Sequence, residues 1–326
     1  MTNGNVKMGG EPNDISLDSA LSLVKEEVDR ALSSSPFIVR VYTKHLTAAR
    51  GKFIRAISLL TCALNKEDLI HANAVKLAAA IEILHLATLV HDDVIDDADI
   101  RRGLPTLQKK YGKRTAVICG DYLLCVALRL ASEVPNKQDY LQLNIPDYMT
   151  KVCFGELNQH INNGNFDLSV YRYLKIISGK TAALFEASYL AGAILSGCDT
   201  SELKKYKRLG RYIGMIFQLI DDCMDFEATE NIAKKPVQSD FEQNVVTLPL
   251  IHAFANILGF KEKAKNHEVS RGEIDDAVKK TDGITYTRMV AKKYYNKFVK
   301  IVDELETTDD KKNRLISILD KAFRVF

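Results

Sequence analysis

Four aspartates occur within six residues in the stretch 91–97, which reads His-Asp-Asp-Val-Ile-Asp-Asp and ends a long apolar segment. Carboxylates this close repel one another, so a structure that holds them together needs a positive charge nearby. Carboxylate oxygens are the hard ligands that Mg²⁺ prefers. We therefore predict a divalent metal site that includes Asp92, Asp93 and Asp96.

A second acidic cluster at residues 221–225 repeats the Asp-Asp-x-x-Asp spacing after another apolar segment. One such motif is weak evidence, since paired aspartates at helix ends are common surface features. In a helix, the first and last aspartates of each motif lie four apart on one face, which pairs Asp92 with Asp96 and Asp221 with Asp225. Two facing Mg²⁺ sites would hold a diphosphate between them. Zinc is not predicted, because the clusters lack Cys and His at zinc-ligand spacing.

Basic residues occur near both clusters, and each has an ordinary structural explanation when taken alone. Two arginines after the first cluster can merely balance its charge, single lysines are more often solvated, and a histidine in an apolar helix is more often a hydrogen-bonded core residue. The functional interpretation gains weight because so many acids and bases coincide with apolar helices. The candidate cations are Lys52, Arg55, His85, Arg101, Arg102, Lys234 and Lys235.

The elements that must position these residues are helices, because apolar residues recur at helical spacing and alternating strand patterns are almost absent. We predict one all-α domain over residues 15–326, a single large helical bundle around a central cavity, after a flexible tail at residues 1–14. The longest irregular stretch, 229–245, has the length of an active-site lid. The predicted helices start near 16 and 37 and otherwise span about 69–90, 117–131, 147–161, 170–177, 181–195, 202–226 and 248–258, with two more in 283–326.

The overall composition excludes several classes of protein. The net charge of +3 gives no bulk attraction for nucleic acid. The sequence has neither a secretory signal nor an apolar run of about 20 residues that would span a bilayer. The six cysteines form no C-x-x-C pair, so we expect reduced thiols. These features predict a cytoplasmic protein that is not transmembrane.

The residues between about 44 and 251 resemble the trans-isoprenyl diphosphate synthases of the polyprenyl synthetase family, including medium- and long-chain enzymes and the catalytic subunit of heptaprenyl-type enzymes. Both Asp-Asp-x-x-Asp motifs belong to this resemblance. Its other motifs are Arg50-Gly51-Lys52-Phe53-Ile54-Arg55, Arg101-Arg102-Gly103, Gly120-Asp121-Tyr122-Leu123, Gly155-Glu156 with Gln159, Gly179-Lys180-Thr181, Phe217-Gln218, Lys235-Pro236-Val237 and Thr247-Leu248-Pro249.

The resemblance implies an electrophilic alkylation that lengthens a prenyl chain. Three Mg²⁺ would bind the diphosphate of an allylic substrate, with Asp92, Asp96 and Asp221 as direct ligands and Asp93, Asp222 and Asp225 in support. The remaining implied roles divide by substrate: Arg101, Lys180 and Lys235 hold the allylic diphosphate, Lys52, Arg55, His85 and Arg102 hold isopentenyl diphosphate, and Thr181 and Gln218 face the allylic cation.

Two departures from the family pattern bear on this assignment. The usual Gly-Gly-Lys-Arg-x-Arg-Pro is Arg-Gly-Lys-Phe-Ile-Arg-Ala here, so Phe53 replaces a basic residue and the proline is missing. Lys52 and Arg55 remain, so isopentenyl diphosphate binding is expected to persist. After Lys235-Pro236-Val237 the usual glycine is Gln238, and Lys234 occupies a glycine position, which leaves the details of that loop open.

The chain length of the product depends, by the same resemblance, on the residues upstream of the first motif. Ala87 and Thr88 lie five and four residues before Asp92, and neither is aromatic, so the path of the growing tail is open there. Leu84, Ile81 and the helix containing residues 122–130 would then limit the tail. We predict a product longer than four isoprene units, unless another helix closes the tunnel.

Three alternatives remain open at this stage. A short-chain farnesyl or geranylgeranyl diphosphate synthase would share the same motifs. A class I terpene cyclase also uses an Asp-rich motif and Mg²⁺ but usually carries an Asn/Ser/Glu motif second. A subunit of a heteromeric synthase would be inactive alone, although a degenerate subunit normally loses its aspartates. Among assemblies we favour the homodimer that is usual in the family, with a heteromer as the alternative.

Overall fold

The computed structural model describes residues 14–48, 51–134, 138, 142–227, 244–266 and 268–324, and these residues are almost entirely helical, as predicted. The four strands among them contain two residues each and form two antiparallel pairs, β1 (Asp14–Ile15) with β2 (Ile70–His71) and β3 (Ile100–Arg101) with β4 (Leu104–Pro105). The helices in chain order are α1 Leu17–Ser33, α2 Phe37–Ala48, α3 Ile54–Cys62, α4 Asn73–Ile95, α5 Leu107–Tyr111, α6 Lys113–Ser132, α7 Ile145–Asn162, α8 Val170–Ile177, a π-helical turn Ser178–Ala182, α9 Ala183–Leu195, α10 Thr200–Glu227, α11 Leu248–Asn256, α12 Phe260–Lys265, α13 Arg271–Lys280, α14 Gly283–Asp303 and α15 Asp309–Arg324.

The first helix shows how the sequence sets a boundary and a buried face. The Ser16 side chain accepts a hydrogen bond from the Ser19 N–H and so caps the start of α1. Ala20, Val24 and Val28 are buried at four-residue spacing, which is the core-facing stripe expected of an amphipathic helix. The predicted start near residue 16 is confirmed.

The centre of the bundle contains the helices that carry the acidic clusters. Helix α4 packs mainly against α6, and α10 packs against both α9 and α14. Gly214 of α10 lies so close to the π-helical turn that a Cβ atom there would be 2.5 Å from the Ala182 Cα. This close approach places the C-terminal half of α10, with the second cluster, beside Thr181.

Two helices, α4 and α6, are long and apolar enough to cross a membrane by length and composition. Their most apolar windows are 61% and 44% buried inside the protein. Since the two helices also pack against each other, their apolar residues are explained by burial in the bundle.

Some boundaries differ from the sequence-based expectation. The helix expected from residue 69 begins at Asn73, because Ile70 and His71 pair with the N-terminal strand. Helix α13 was not predicted, although Ser270 and Glu273 form a capping box at its start. Nearly all of the predicted tail at 1–14 and most of the predicted lid at 229–245 lie outside the described residues.

Candidate active site

A cavity of about 410 Å³ lies where α4, α7, α8, the π-helical turn and α10 meet. It brings together side chains that are far apart in the sequence, and most of the predicted site residues are among them. The predicted residues that line it are Arg55, His85, Thr88, Asp92, Asp96, Arg101, Arg102, Lys180, Thr181, Gln218, Asp221 and Asp222.

The first acidic cluster straddles the end of α4. Asp92 lies in the last turn and Asp96 is the C-cap residue, and both line the cavity, as their four-residue spacing predicted. Asp93 points elsewhere: it is buried, and its Oδ1 accepts a hydrogen bond from Arg101 Nε at 2.6 Å. Asp97 is exposed and forms an ion pair with Lys113 at 2.9 Å.

The second acidic cluster contributes Asp221 and Asp222 to the cavity, whereas Asp225 is buried and does not line it. The predicted pairing of Asp221 with Asp225 at the site is therefore wrong, because Asp222 is held at the cavity by Tyr173 and Gln218. We call Asp92, Asp96, Asp221 and Asp222 the acidic wall. Both carboxylate oxygens of Asp222 are occupied, since Tyr173 donates its hydroxyl to Oδ2 and Gln218 donates Nε2–H to Oδ1 at 2.8 Å. This leaves Asp222 fixed by protein groups.

Gln218 also connects the acidic wall to the π-helical turn. The Thr181 hydroxyl donates to Gln218 Oε1 at 2.6 Å, so the two side-chain oxygens lie side by side. A π-helical turn often marks a functional site. Gly155 of α7 packs directly on this turn, where a Cβ atom on residue 155 would be only 2.1 Å from the backbone nitrogen of Lys180.

Charge crowding in the acidic wall is visible in its pKa values. The pKa of Asp92 is raised to about 7, chiefly by burial and then by the charges of Glu156 and Asp96, against the lowering effect of Lys180 and Arg101. Burial also raises the pKa of Asp222 to about 7, although the hydrogen bonds from Tyr173 and Gln218 oppose it.

Lys180 is held by an ion pair with Glu156, with 3.0 Å between Nζ and Oε1. Burial by itself would lower the pKa of Lys180, but the charges of Asp92 and Glu156 outweigh burial and raise it. Lys180 therefore stays protonated beside the acidic wall.

Cationic side chains line the cavity as well, and we call Arg55, His85, Arg101 and Arg102 the basic wall. Arg55 lies in the first turn of α3, and its guanidinium is 4.5 Å from the centre of the Phe185 ring. Its Nε is buried and has no hydrogen-bond partner among the described residues. Burial lowers the pKa of Arg55 to about 10, so the side chain stays charged at neutral pH. Lys52 is exposed and does not line the cavity.

His85 differs from the arginines beside it. Burial, followed by the charges of Arg55, Arg102 and Arg101, lowers the pKa of His85 well below its usual value. The imidazole is therefore neutral at physiological pH and can both donate and accept a hydrogen bond.

Glu82 of α4 supports the basic wall and was not predicted from the sequence. Its Oε1 accepts a hydrogen bond from the Ala56 N–H at 2.9 Å, which satisfies one of the free amides at the start of α3. The negative charge of Glu82 raises the pKa of both Arg55 and Arg102 against the effect of burial. Its position three residues before His85 on the same helix face was the signal available in the sequence.

Beneath the two walls the lining becomes apolar. Leu89, Leu184 and Phe217 line the main cavity, and Leu184 also borders a smaller apolar pocket farther along the bundle. Thr88 lines the main cavity and Leu84 the smaller pocket, whereas Ala87 is fully buried and lines neither.

Some predicted residues lie outside the described part of the chain, and some residues of the site were not assigned a role from the sequence. Lys234 and Lys235 lie outside the described residues. Tyr173, which holds Asp222, was missed because nothing in its local sequence distinguishes it from an ordinary helix residue, and Glu156 was noted in a motif without a role.

The family model described as "Polyprenyl synthetase" matches residues 37–293. This chain belongs to the polyprenyl synthetase family. It is 36% identical over 299 residues to heptaprenyl diphosphate synthase component 2 of Geobacillus stearothermophilus, covering 89% of this chain and 91% of that protein. Membership identifies the protein as a prenyltransferase and confirms the resemblance found in its motifs.

Solved structures agree with this membership. Heptaprenyl diphosphate synthase from Staphylococcus aureus superposes with a TM-score of 0.88 at 32% identity, covering 95% of this chain and 99% of the other. Geranylgeranyl pyrophosphate synthase from Lactobacillus brevis gives a TM-score of 0.84 at 27% identity, covering 95% and 97%. Polyprenyl synthetases named for different products therefore share this fold, so the fold by itself does not decide product length.

Proposed function

We propose that the protein is a Mg²⁺-dependent synthase that condenses an allylic diphosphate with isopentenyl diphosphate to give an all-trans polyprenyl diphosphate longer than C20. The observation that supports this most directly is a cavity with an acidic wall and a basic wall, with the smaller apolar pocket that shares Leu184 as its apolar extension. The two walls suit two diphosphates held in different ways, one through metal ions and one through cationic side chains. The apolar extension suits a prenyl tail.

Three Mg²⁺ would be held by the two aspartate clusters, with Asp92, Asp96 and Asp221 as direct ligands. The residues fit this metal, because the acidic wall offers carboxylate oxygens in a crowded, partly buried setting. No three His, Cys, Asp or Glu side chains in the described part of the chain converge to hold a metal alone. Mg²⁺ typically takes one or two carboxylates and completes its shell with water and phosphate oxygens.

Asp93, Asp222 and Asp225 would support these ligands without binding metal directly. For Asp93 and Asp222 this role agrees with their contacts, since Arg101 occupies the first carboxylate and Tyr173 with Gln218 the second. When bound, the metal ions would neutralise the charge that develops on the departing diphosphate.

Arg101, Lys180 and Lys235 would grip the allylic diphosphate. The carbon–oxygen bond of this substrate breaks and leaves an allylic cation, while its electron pair departs with the diphosphate. Lys180 is protonated and stabilises the negative charge on that leaving group. Thr181 and Gln218 would face the allylic cation, and the contact between their side-chain oxygens supports a shared role for the two residues.

Lys52, Arg55, His85 and Arg102 would bind isopentenyl diphosphate. The free, buried Nε of Arg55 supports this role, because a buried donor without a partner is costly unless a ligand satisfies it. The double bond of isopentenyl diphosphate forms the new carbon–carbon bond with the allylic cation. A proton then leaves the neighbouring carbon, and the released diphosphate accepts it.

The proposed product length rests on the lower part of the cavity. Ala87 and Thr88 place no bulky ring below the acidic wall, and Leu84 borders the smaller apolar pocket that continues past Leu184. The relatives named for heptaprenyl products support a long tail. A short-chain product is the alternative, in which Tyr148 and Ile145 at the far side of the pocket stop the tail early.

We further propose a homodimer in the cytoplasm. Helices α6 and α7 both border the small pocket, and on their outer surfaces Ile118, Phe154 and Ile161 are 60%, 55% and 68% exposed. Apolar side chains this exposed suit an interface. All six cysteines are free thiols, which agrees with a reducing compartment. The name "component 2" of one relative keeps a heteromer as the alternative.

Product analysis with farnesyl diphosphate, radiolabelled isopentenyl diphosphate and Mg²⁺ tests the proposal. We expect labelled products longer than C20 and no incorporation when EDTA removes the metal. Hydrocarbon formed from farnesyl diphosphate alone would indicate a cyclase. Inactivity of the pure protein, with activity restored by a cell extract, would indicate a heteromer.

A paired substitution tests the tail path in the same assay. Thr88→Phe should shorten the product, because the ring would block the cavity lined by Thr88. Thr285→Phe, at an exposed position of α14, is the matched control and should leave the product distribution unchanged. Equal products from all three proteins would contradict the proposed path.

A further inference from the structure

Two neighbouring helices on the outside of the bundle carry a concentrated positive charge that the proposed reaction does not use. Helix α14 contains no acidic residue before its last position, Asp303. Between Thr200 and Ile220, the only acidic residue of α10 is Glu202, which forms an ion pair with Lys205 at 2.5 Å. We call the exposed cations of these helices the α10–α14 basic face: Lys204, Arg208 and Arg211 of α10, and Lys293, Lys297 and Lys300 of α14.

The six cations form two parallel stripes. On each helix they are spaced by four and then three residues, which places them on one side of the helix. The rings of Tyr212 and Tyr294 lie 5.8 Å apart and join the two helices between the stripes. Among the described residues, no carboxylate lies within ion-pair distance of any of the six, so no close ion pair there neutralises these cations.

The face lies toward the end of the bundle that is remote from the acidic wall. Lys204 precedes Asp221 by 17 positions, about 26 Å along a helix. Helix α9 follows the π-helical turn and contains Leu184 and Ala187, which border the small apolar pocket. Helix α10 begins just after α9 ends. Lys205 contacts the Glu304 carbonyl at 2.8 Å, so the end of α14 lies there too.

We propose that the α10–α14 basic face docks the enzyme on an anionic lipid bilayer. Clusters of four to eight Lys and Arg residues on a helical surface bind acidic lipid headgroups, and each cation strengthens binding about fivefold. Tyrosines favour the membrane–water interface, where the ring is buried and the hydroxyl is hydrated. The net charge of the whole chain is only +3, so no overall positive field of the kind suited to nucleic acid accompanies this face.

Docking in this orientation would bring the end of the bundle that is remote from the acidic wall near the bilayer. A prenyl chain longer than C20 partitions into membranes, since each buried methylene favours the apolar phase. The idea that the bilayer takes up the prenyl product rests on the proposed function, whereas docking itself rests only on the α10–α14 basic face.

Co-sedimentation with vesicles tests the docking directly and needs no enzymatic activity. The wild-type protein should bind vesicles that contain about 30% phosphatidylglycerol, should not bind pure phosphatidylcholine, and should lose binding as salt screens the charges. The face variant Lys204→Gln/Arg208→Gln/Lys293→Gln/Lys297→Gln should bind anionic vesicles about a hundredfold or more weakly.

The matched control removes four exposed cations elsewhere, with Lys25→Gln/Lys66→Gln/Lys175→Gln/Lys279→Gln, and changes the net charge by the same amount. It should bind like wild type, and circular dichroism should show both variants folded. Equal binding by the face variant and the control, or binding to neutral vesicles, would overturn the proposal. So would tighter binding of duplex DNA than of vesicles, if the face variant lost it, because the face would then be assigned to nucleic acid.

Discussion

The acidic and basic walls of one cavity differ in how their buried charges are balanced. The basic wall has an internal counter-charge, because Glu82 caps α3 and lies beside Arg55 and Arg102. In the acidic wall, burial and neighbouring carboxylates raise the pKa of Asp92 to about 7 in spite of Lys180. The basic wall is therefore organised by the protein alone, whereas the acidic wall is suited to added cations.

The largest expected effect of a substitution lies in the acidic wall. Asp92→Asn and Asp221→Asn should each lower turnover by about a thousandfold or more, because the lost charge stabilises the departing diphosphate chiefly in the transition state. Steady-state kinetics at saturating Mg²⁺ would measure this loss. Asp97→Asn is the matched control, since Asp97 belongs to the same acidic run but pairs with Lys113 outside the cavity. Near-normal rates for Asp92→Asn would remove the acidic wall from the mechanism.

A smaller and more selective effect is expected at Glu82. Glu82→Gln should raise the KM for isopentenyl diphosphate about tenfold, since a charge-assisted contact that orients α3 and Arg55 is weakened. The KM for the allylic substrate should change less than about twofold, since Glu82 acts on Arg55 and Arg102, which would hold the other substrate.

The control for this substitution is Glu202→Gln, which removes a mostly buried carboxylate from α10 far from the cavity. Glu82→Asp should recover part of the lost affinity. Equal increases in both KM values would show that Glu82 maintains the fold as a whole and not the basic wall in particular.

The sequence predicted more of the acidic wall than of the contacts that support the two walls. The helical period and the repeated Asp-Asp-x-x-Asp spacing were enough to predict the all-α fold and the pairing of Asp92 with Asp96, because both depend on local geometry. For Glu82 the sequence offered only its position three residues before His85, and the role of Tyr173 was not predictable, since a tyrosine within a helix has no local mark of its partner. Their contacts, to Ala56 and Asp222, depend on how separate helices pack.

The acidic wall should also make the metal-free protein sensitive to pH. Burial raises the pKa of Asp222 to about 7, so the folded state binds a proton more tightly than the unfolded chain does. This contribution to stability is fully present below pH 4 and is lost as the pH rises to about 7. In EDTA, the unfolding midpoint should be about 2 to 4 °C lower at pH 7.5 than at pH 5 relative to Asp222→Asn, as calorimetry can measure. A parallel pH profile for the two proteins would contradict this sign.

The smallest effect on activity is expected at the other end of the helix that carries Arg55. The ammonium of Lys311, which is almost fully buried, donates to the Cys62 and Leu64 carbonyls at 2.6 and 2.9 Å and so satisfies the C-terminal end of α3. Lys311→Met should lower the free energy of unfolding by about 2 kcal/mol, because carbonyls that accepted charge-assisted bonds lose their partner.

Both KM values of Lys311→Met should stay within about twofold of wild type, since Glu82 still fixes the end of α3 that faces the cavity. Urea unfolding and kinetics on the same preparation would test both statements, with Lys321→Met, at an exposed position of the same helix, for comparison. If the KM for isopentenyl diphosphate rose as much as in Glu82→Gln, the orientation of Arg55 would depend on the whole of α3 and not on the contact with Glu82. The basic wall would then be no more self-contained than the acidic one.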